Sequence, residues 1–594
     1  MSDGKFDFAL AIGGEAGQGI ATPGDTLARL FVRRGLHLAT YNAYQSIIRG
    51  GHIFLTVRVS EEEVLSHGDR LDMLLSLNQD TIDRHLRHLG EGAVALYNSD
   101  AITPGEAAGG VQLCPLPVNE LTGSTRAGLN QNTVALGAMM HLLGLEFDIL
   151  ESSITQQFAR KGEDVVNENV RVALAGYTHA QENFVPFPQR VPEGGEPKAM
   201  WSGNEALAMG GAAAGVKFYA AYPMSPSTGV LHWYAQHARN LGIMVRQVED
   251  EIGVANMVIG AAHTGTRAMC ATSGGGFALM TEAIGAAAMM EIPCVFINVQ
   301  RAGPSTGVPT KTEQGDLWQA LGASQGDFQR LIVSPRDALD AFNTVPEVFN
   351  LADKLQCPAV ILSDLLISEG RFSINPDLLN FQPEIDRGEL ITEPKTANGN
   401  PYNRYEDTPS GVSPRAVPGV EGYIHTVATD EHDETSRLLS DEFTNPLKRR
   451  AAVEKRARKL ENVSSLMAAP EIEGSADADV TLVGWGSTYG VIKEAIDQMA
   501  ERGVKANQLS VKWLVPFHAD EVTAALEGKK FFVVENNQSG QFARYLRGET
   551  GLQADGHIRK YDGEPFAPHH IADGVAELLE QGSGVFVPQQ EIIV

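Results

Sequence analysis

The chain has 594 residues, 43% of them hydrophobic, and a formal net charge of −27 from 47 Lys and Arg against 74 Asp and Glu. At roughly 150 residues per domain, this length predicts three or four domains with separate buried cores. The acidic balance argues against nucleic acid as a partner, because phosphate contacts need clustered Lys and Arg, and it would repel an acidic electron carrier unless a basic patch or another subunit receives it.

Four cysteines, Cys114, Cys270, Cys294 and Cys357, stand apart with no C-x-x-C pair. That spacing predicts buried reduced thiols in a cytoplasmic protein rather than an iron–sulfur cluster held by this chain alone. The opening MSDGKFDFALAIGG has neither the basic start nor the apolar core of a secretory signal. No run of about 18 uncharged apolar residues occurs, so neither a membrane helix nor a membrane partner is expected.

A first domain is predicted over residues 5–184. Its strand at 6–12 runs into Gly13-Gly14-Glu15-Ala16-Gly17-Gln18-Gly19, followed by a helix at 27–34. A glycine-rich strand-to-helix turn offers backbone N–H groups to an anion. The spacing is neither a strict G-x-G-x-x-G nor a P-loop. The segment Tyr44-Gln45-Ser46-Ile47-Ile48-Arg49-Gly50-Gly51-His52 then leads into a strand at 53–59, with further strands at 73–77 and 94–97. Arg49 reads either as an anion contact or as a surface turn.

Residues 185–201 are rich in Pro, Gly and charge, which is linker chemistry. A second domain is predicted over 202–366. It opens with a small-residue helix at 203–215 and a strand at 217–222, which breaks at Tyr222-Pro223-Met224-Ser225-Pro226-Ser227-Thr228. The two prolines keep helix from forming between them and hold the hydroxyls at a strand end. One hydroxyl suits an N-cap for the helix at 229–240.

Residues 249–316 organise the domain. Glu249, Asp250 and Glu251 open an apolar small-residue helix, and a strand at 268–272 meets Ser273-Gly274-Gly275-Gly276 and a second such helix. A strand at 294–299 then ends at Gln300-Arg301. This is the grammar of a parallel α/β sheet, whose ligands bind beyond the carboxyl ends of the strands. Strands at 331–333 and 359–362 complete it. Acidic residues in a first turn suit the helix dipole. Glu251, however, directly precedes the apolar run and is expected to be carried inward, where a carboxyl acquires a raised pKa.

Residues 367–437 are too long for a simple loop and are expected to wrap another surface, as the first part of a region that runs over 367–477 and includes a connecting helix. Within that region, 430–434 (DEHDE) reads as a solvated acidic turn, and the basic helix at 447–461 as a connector crossing an acidic surface. A last domain at 478–594 has predicted strands at 480–484, 507–513 and 531–535, with a helix at 489–502.

The run YPMSPST at 222–228 resembles the YPITPSS motif of 2-oxoacid:ferredoxin oxidoreductases, and RAGPSTGVPTKTEQGD at 301–316 is similar to the form found in alpha subunits of their 2-oxoglutarate branch. The first domain resembles the family's gamma subunit, departing from it at Glu15-Ala16 and at Gln45–Ile48. The resemblance implies a fused gamma and alpha chain of several parallel-sheet domains: gamma-type, thiamine diphosphate pyrimidine-binding, and transketolase C-terminal-like. It implies that Glu251, with Glu249 as the alternative, hydrogen-bonds the aminopyrimidine. Ser273, Gly274 and Gly275 would line the cofactor, and Ser225, Arg301, Thr310 and Lys311 would bind the 2-oxoacid. Arg301 offers a planar fork to its carboxylate, and Lys311 either faces a distal carboxylate or is simply exposed or ion-paired.

The family's gamma domain lies near the coenzyme A path, which points to Gly17, Gly19 or Arg49. No GDG segment for Mg²⁺ occurs, so no metal site is expected on this chain. Mg²⁺ and the iron–sulfur cluster are assigned to a separate beta subunit, in a dimer of heterodimers that reduces ferredoxin. The rival readings are the same chemistry on pyruvate, branched-chain or aryl 2-oxoacids, and a non-catalytic scaffolding subunit.

Overall fold

The computed structural model describes residues 5–45, 49–123, 127–394, 401–439, 446–461 and 463–590. It divides into two compact units. The first runs through Trp201 and takes in Gly370–Pro376; the second holds Ser202–Glu369 and Asp377–Pro588.

The first unit is built on an eight-stranded sheet in the order Gln112–Leu116, Val94–Asn98, Met73–Ser76, Asp7–Ala16, Gly50–Ser60, His37–Ala43, Arg371–Ile374, Ala199–Ser202. Its first four strands are parallel, whereas Gly50–Ser60 is antiparallel to both of its neighbours. The sheet is therefore mixed. The strand His37–Ala43 was not predicted, and it is recognisable only through its pairing with Gly50–Ser60. The helices Ala127–Leu142 and Glu163–Asn183 touch backbone to backbone: a β-carbon on Gly137 would lie 1.9 Å from Ala173 O, and one on Gly176 2.0 Å from Val134 O.

The second unit carries a seven-stranded sheet in the order Trp513–Val515, Leu331–Val333, Ala359–Asp364, Val295–Gln300, Ala268–Thr272, Phe218–Ala221, Met244–Gln247. All pairings in it are parallel except that of Trp513–Val515. A six-stranded sheet follows: Ile472–Gly474, Ala506–Ser510, Val480–Gly484, Phe531–Glu535, Gly556–Arg559, Gly584–Phe586. The strand predicted over 507–513 is thus two strands. Ala506–Ser510 stays in the second sheet, and Trp513–Val515 crosses to the edge of the first. One apolar core spans both sheets, from Phe218, Cys270 and Phe296 to Trp485, Leu514 and Phe542.

The extension after Asp377 is fastened by buried ion pairs. Asp353 accepts from Arg267 and Arg387, each at 2.9 Å. Glu291 is paired with Lys455 at 2.8 Å and with Lys459 at 2.5 Å. The helix Pro446–Arg458 does meet acidic groups, and Arg456 forks onto Glu431 at 2.9 Å. The turn at 430–434 is consequently not a solvated one. His432 is buried against Tyr405, and Glu431 is held by Arg449 and Arg456.

No described helix is long and apolar enough to cross a membrane. All four cysteines are buried and unbridged. Among the described residues, no group of three or more His, Cys, Asp or Glu converges as a metal site.

Candidate active site at the carboxyl edge of the seven-stranded sheet

Four neighbouring strands of this sheet deliver the candidate groups. Met244–Gln247 leads to Glu251, Phe218–Ala221 to Ser225, Ala268–Thr272 to Ser273, and Val295–Gln300 to Arg301.

Asp250 caps the helix Glu251–His263, its Oδ1 accepting from Gly253 N at 2.7 Å. That cap starts the helix at Glu251 and places it at the head of the buried stripe Val254, Ala255, Val258, Ile259, Ala262. These positions follow Glu251 at i+3, i+4, i+7, i+8 and i+11, one face of a 3.6-residue period. Glu251 is 4% exposed, and its Oε1 is buried without a hydrogen-bond partner. Glu249 precedes the cap and is exposed.

The three glycines after Ser273 differ in what they make room for. A β-carbon at Gly274 would lie 2.6 Å from Asp316 Oδ2, and one at Gly276 would lie 2.1 Å from Thr272 Oγ1 and 2.7 Å from Glu251 Oε1. Gly275 has only Ser305 O nearby, at 3.9 Å. Ser273 Oγ is buried and makes no bond at the helix terminus it caps.

Arg301 is half-buried and donates to Ser225 O at 2.6 Å, tying two sequence-predicted residues together. Thr310 is buried. Lys311 is bonded to Glu564 and does not reach the cavity wall. A cavity of about 850 Å³ opens beside Arg301. Met224, Gly274, Gly275, Arg301 and Asp316 line it, facing Asn537, Ser539 and Gln541 of the C-terminal lobe.

Two carboxyls in that wall escaped the sequence reading. Asp316 accepts from Asn298 Nδ2 at 3.0 Å. Burial raises its pKa, opposed by that bond and by Arg301. Glu313 is pushed up to about 7 by burial, opposed by a bond from Gly303 N and reinforced by Asp316. TEQGD by itself reads as a polar turn, and the cue to these roles is a lining that no local pattern encodes.

In the first unit, Gly17 and Gly19 have positive φ, 99° and 73°. Asn132 Nδ2 closes the turn by donating to Gln18 O at 2.8 Å. Arg49 is exposed; Ser46, Ile47 and Ile48 lie outside the described residues.

Three family profiles match in tandem: "Pyruvate ferredoxin/flavodoxin oxidoreductase" over residues 9–179, "Pyruvate flavodoxin/ferredoxin oxidoreductase, thiamine diP-bdg" over 209–449, and "Pyruvate:ferredoxin oxidoreductase core domain II" over 478–570. The 2-oxoacid:ferredoxin oxidoreductase 2 subunit alpha of Aeropyrum pernix is 31% identical over 97% of this chain and 98% of its own length. The 2-oxoglutarate oxidoreductase subunit KorA of Mycobacterium tuberculosis is 31% identical over 91% of this chain and 87% of its own. A solved structure is described as 2-oxoglutarate:ferredoxin oxidoreductase from Magnetococcus marinus with 2-oxoglutarate, coenzyme A and succinyl-CoA bound. It superposes with a TM-score of 0.89 at 32% identity, covering 96% of this chain and 99% of that one. The chain belongs to the 2-oxoacid:ferredoxin oxidoreductases, as an alpha subunit with a fused gamma domain.

Proposed function

We propose that this chain, with a beta subunit, oxidatively decarboxylates 2-oxoglutarate in the presence of coenzyme A, yielding succinyl-CoA and CO₂ and passing the electrons to ferredoxin. The reverse, reductive carboxylation, uses the same site when the acceptor potential is low enough. The observation that carries the reading is the buried, unpartnered Oε1 of Glu251 behind Gly276. A buried polar atom without a partner costs about 1–3 kcal/mol, so a ligand that supplies the partner is favoured there. The likeness to the Magnetococcus enzyme supports the choice of 2-oxoglutarate.

The residues fit the pyrimidine half of thiamine diphosphate. Glu251 would make a hydrogen bond to the ring, and Ser273 Oγ and the backbone at Gly274 and Gly275 would line its approach. When bound, the coenzyme supplies the electron sink for decarboxylating a 2-oxoacid. Arg301 would grip the substrate carboxylate through its planar fork, held at a fixed angle by Ser225 O. Ser225 and Thr310 would add hydroxyls. Lys311 would reach a distal carboxylate only by leaving Glu564.

Mg²⁺ and the iron–sulfur cluster are assigned to the beta subunit, in a dimer of heterodimers in the cytoplasm. Ile252, Met257, Leu279 and Trp318 stand exposed on the helices flanking the crevice, an apolar rim of the kind a partner chain covers. Coenzyme A would meet the first unit at Gly17, Gly19 or Arg49.

Steady-state turnover of the assembled complex with 2-oxoglutarate, pyruvate, branched-chain and aryl 2-oxoacids tests the substrate. The highest kcat/KM is expected for 2-oxoglutarate. A preference of tenfold or more for another acid would replace it, leaving the site chemistry in place.

A further inference from the structure

The wall segment that follows Arg301 is held by the C-terminal lobe. Thr312 N donates to Gly563 O at 3.0 Å, and Gln314 N to Asn536 O at 2.7 Å. The side chain of Gln314 returns the contact, Oε1 accepting from Asn536 N at 3.0 Å and Nε2 donating to Trp485 O at 2.8 Å. Asn537 Nδ2 donates to Gln314 O at 3.0 Å, and Gln541 Nε2 to Gly315 O at 2.8 Å. Gln541 Oε1 accepts from Trp318 N at 3.1 Å.

The turn that supplies these bonds is itself over-determined. Asn537 Nδ2 also donates to Glu535 Oε2 at 2.7 Å, while its Oδ1 accepts from Gly540 N at 2.8 Å and Gln541 N at 3.2 Å. Every hydrogen-bonding valence of that amide is thereby used. Glu535, fully buried, accepts further from Phe542 N at 2.9 Å and Ala543 N at 3.2 Å. The segment's own sheet adds two bonds, both at Asp316: its N donates to Gln300 Oε1 at 3.1 Å and its Oδ2 accepts from Asn298 Nδ2 at 3.0 Å. Asp316, Glu313 and Gly315 on one side and Asn537, Ser539 and Gln541 on the other then face the same cavity.

We infer that the C-terminal lobe, through Asn537 and Gln541, positions the 313–318 wall of the substrate cavity, with Gln541 as a positioning residue. This rests on the cavity being the 2-oxoacid site. Gln541 braces both ends of the Gly315–Trp318 stretch through one planar amide, so its removal loosens that stretch while Asp316 keeps only its bonds to Gln300 and Asn298. A displacement of about 1 Å at a site wall costs up to 10²-fold in catalysis.

The test uses the complete complex with its beta subunit. Gln541→Ala is expected to raise KM for the preferred 2-oxoacid at least tenfold, with thiamine diphosphate affinity, complex size and thermal midpoint unchanged. Gln541→Glu keeps the acceptor for Trp318 N but sets a carboxylate against Gly315 O and adds negative charge to the cavity, so it should not restore KM. Tyr489→Phe, which removes a bond to Glu473 elsewhere in the lobe, should leave KM alone. Should Gln541→Ala leave KM within twofold of wild type, or lower the thermal midpoint and kcat at constant KM, the positioning role is overturned. Because KM is read on whichever acid the wild type prefers, a wrong substrate assignment shows in the wild-type panel and not in this comparison.

Discussion

Gly276 and Glu251 are shaped to each other: a β-carbon on Gly276 would fall 2.7 Å from Glu251 Oε1. Such a contact is closer than real carbon and oxygen atoms approach. The glycine therefore holds open the space in which the buried carboxyl lies, and the second helix can pass directly in front of it. Gly276→Ala is expected to push Glu251 and Thr272 aside at an over-packing cost of about 1–3 kcal/mol. Titration of the complex with thiamine diphosphate should show at least a tenfold weaker apparent affinity, while Gly548→Ala, on an exposed helix face where an added carbon meets nothing within 4 Å, should show a much smaller change.

Glu313 is expected to make the cavity sensitive to pH. Its carboxyl is held up near pH 7 by burial, so the folded state keeps a proton that the unfolded chain has released. Between its ordinary value and about 7 the folded state binds more protons, and its contribution to stability falls as pH rises through that window. In function, the cavity gains a negative charge near pH 7. KM for an anionic 2-oxoacid should rise above that pH, and Glu313→Gln should flatten the profile. An unchanged profile would remove Glu313 from the charge balance of the site.

Glu291 is the anchor of the extension. Burial alone would raise its pKa, but the ammonium groups of Lys459 and Lys455, with Arg404, outweigh that and hold it well below the carboxylate range. Lys455 is brought down to about 8 by burial, offset in part by Glu291. Glu291→Gln leaves buried ammonium groups uncompensated, a loss of about 3–5 kcal/mol. Limited proteolysis should then cut within the extension at concentrations that spare the wild type.

Lys311 is expected to behave as a tether. Its partner Glu564 belongs to the C-terminal lobe, and the pair is about three-quarters buried, at 23% and 21% side-chain exposure. Lys311→Ala and Glu564→Ala should each change KM for 2-oxoglutarate less than threefold. A tenfold rise confined to dicarboxylic substrates and to Lys311→Ala would instead give it the distal carboxylate.

The sequence was most informative where chemistry is local. The strands Ala268–Thr272, Leu331–Val333, Val480–Gly484 and Phe531–Glu535 coincide with apolar runs between turn residues. Glu251 could be picked out because an apolar helix begins at it. Whatever depends on distant partners stayed hidden. His37–Ala43 has an unremarkable composition and is a strand through Gly50–Ser60. Arg371–Ile374 joins the sheet of the first unit, pairing Phe372 with Ala39 across more than three hundred residues of chain. The site was half legible for the same reason. The glycines and Arg301 lie in one contiguous stretch, whereas Asn537 and Gln541 reach the cavity from a turn over two hundred residues away. No periodicity records such a closure.

The central claim is that Glu251 presents its carboxyl to the coenzyme. Glu251→Gln in the assembled complex is the most direct measurement, read as both turnover and thiamine diphosphate binding. Turnover is expected to fall at least a hundredfold, about 2.7 kcal/mol of transition-state stabilisation, with the complex intact. Turnover within threefold of the wild type would contradict the claim.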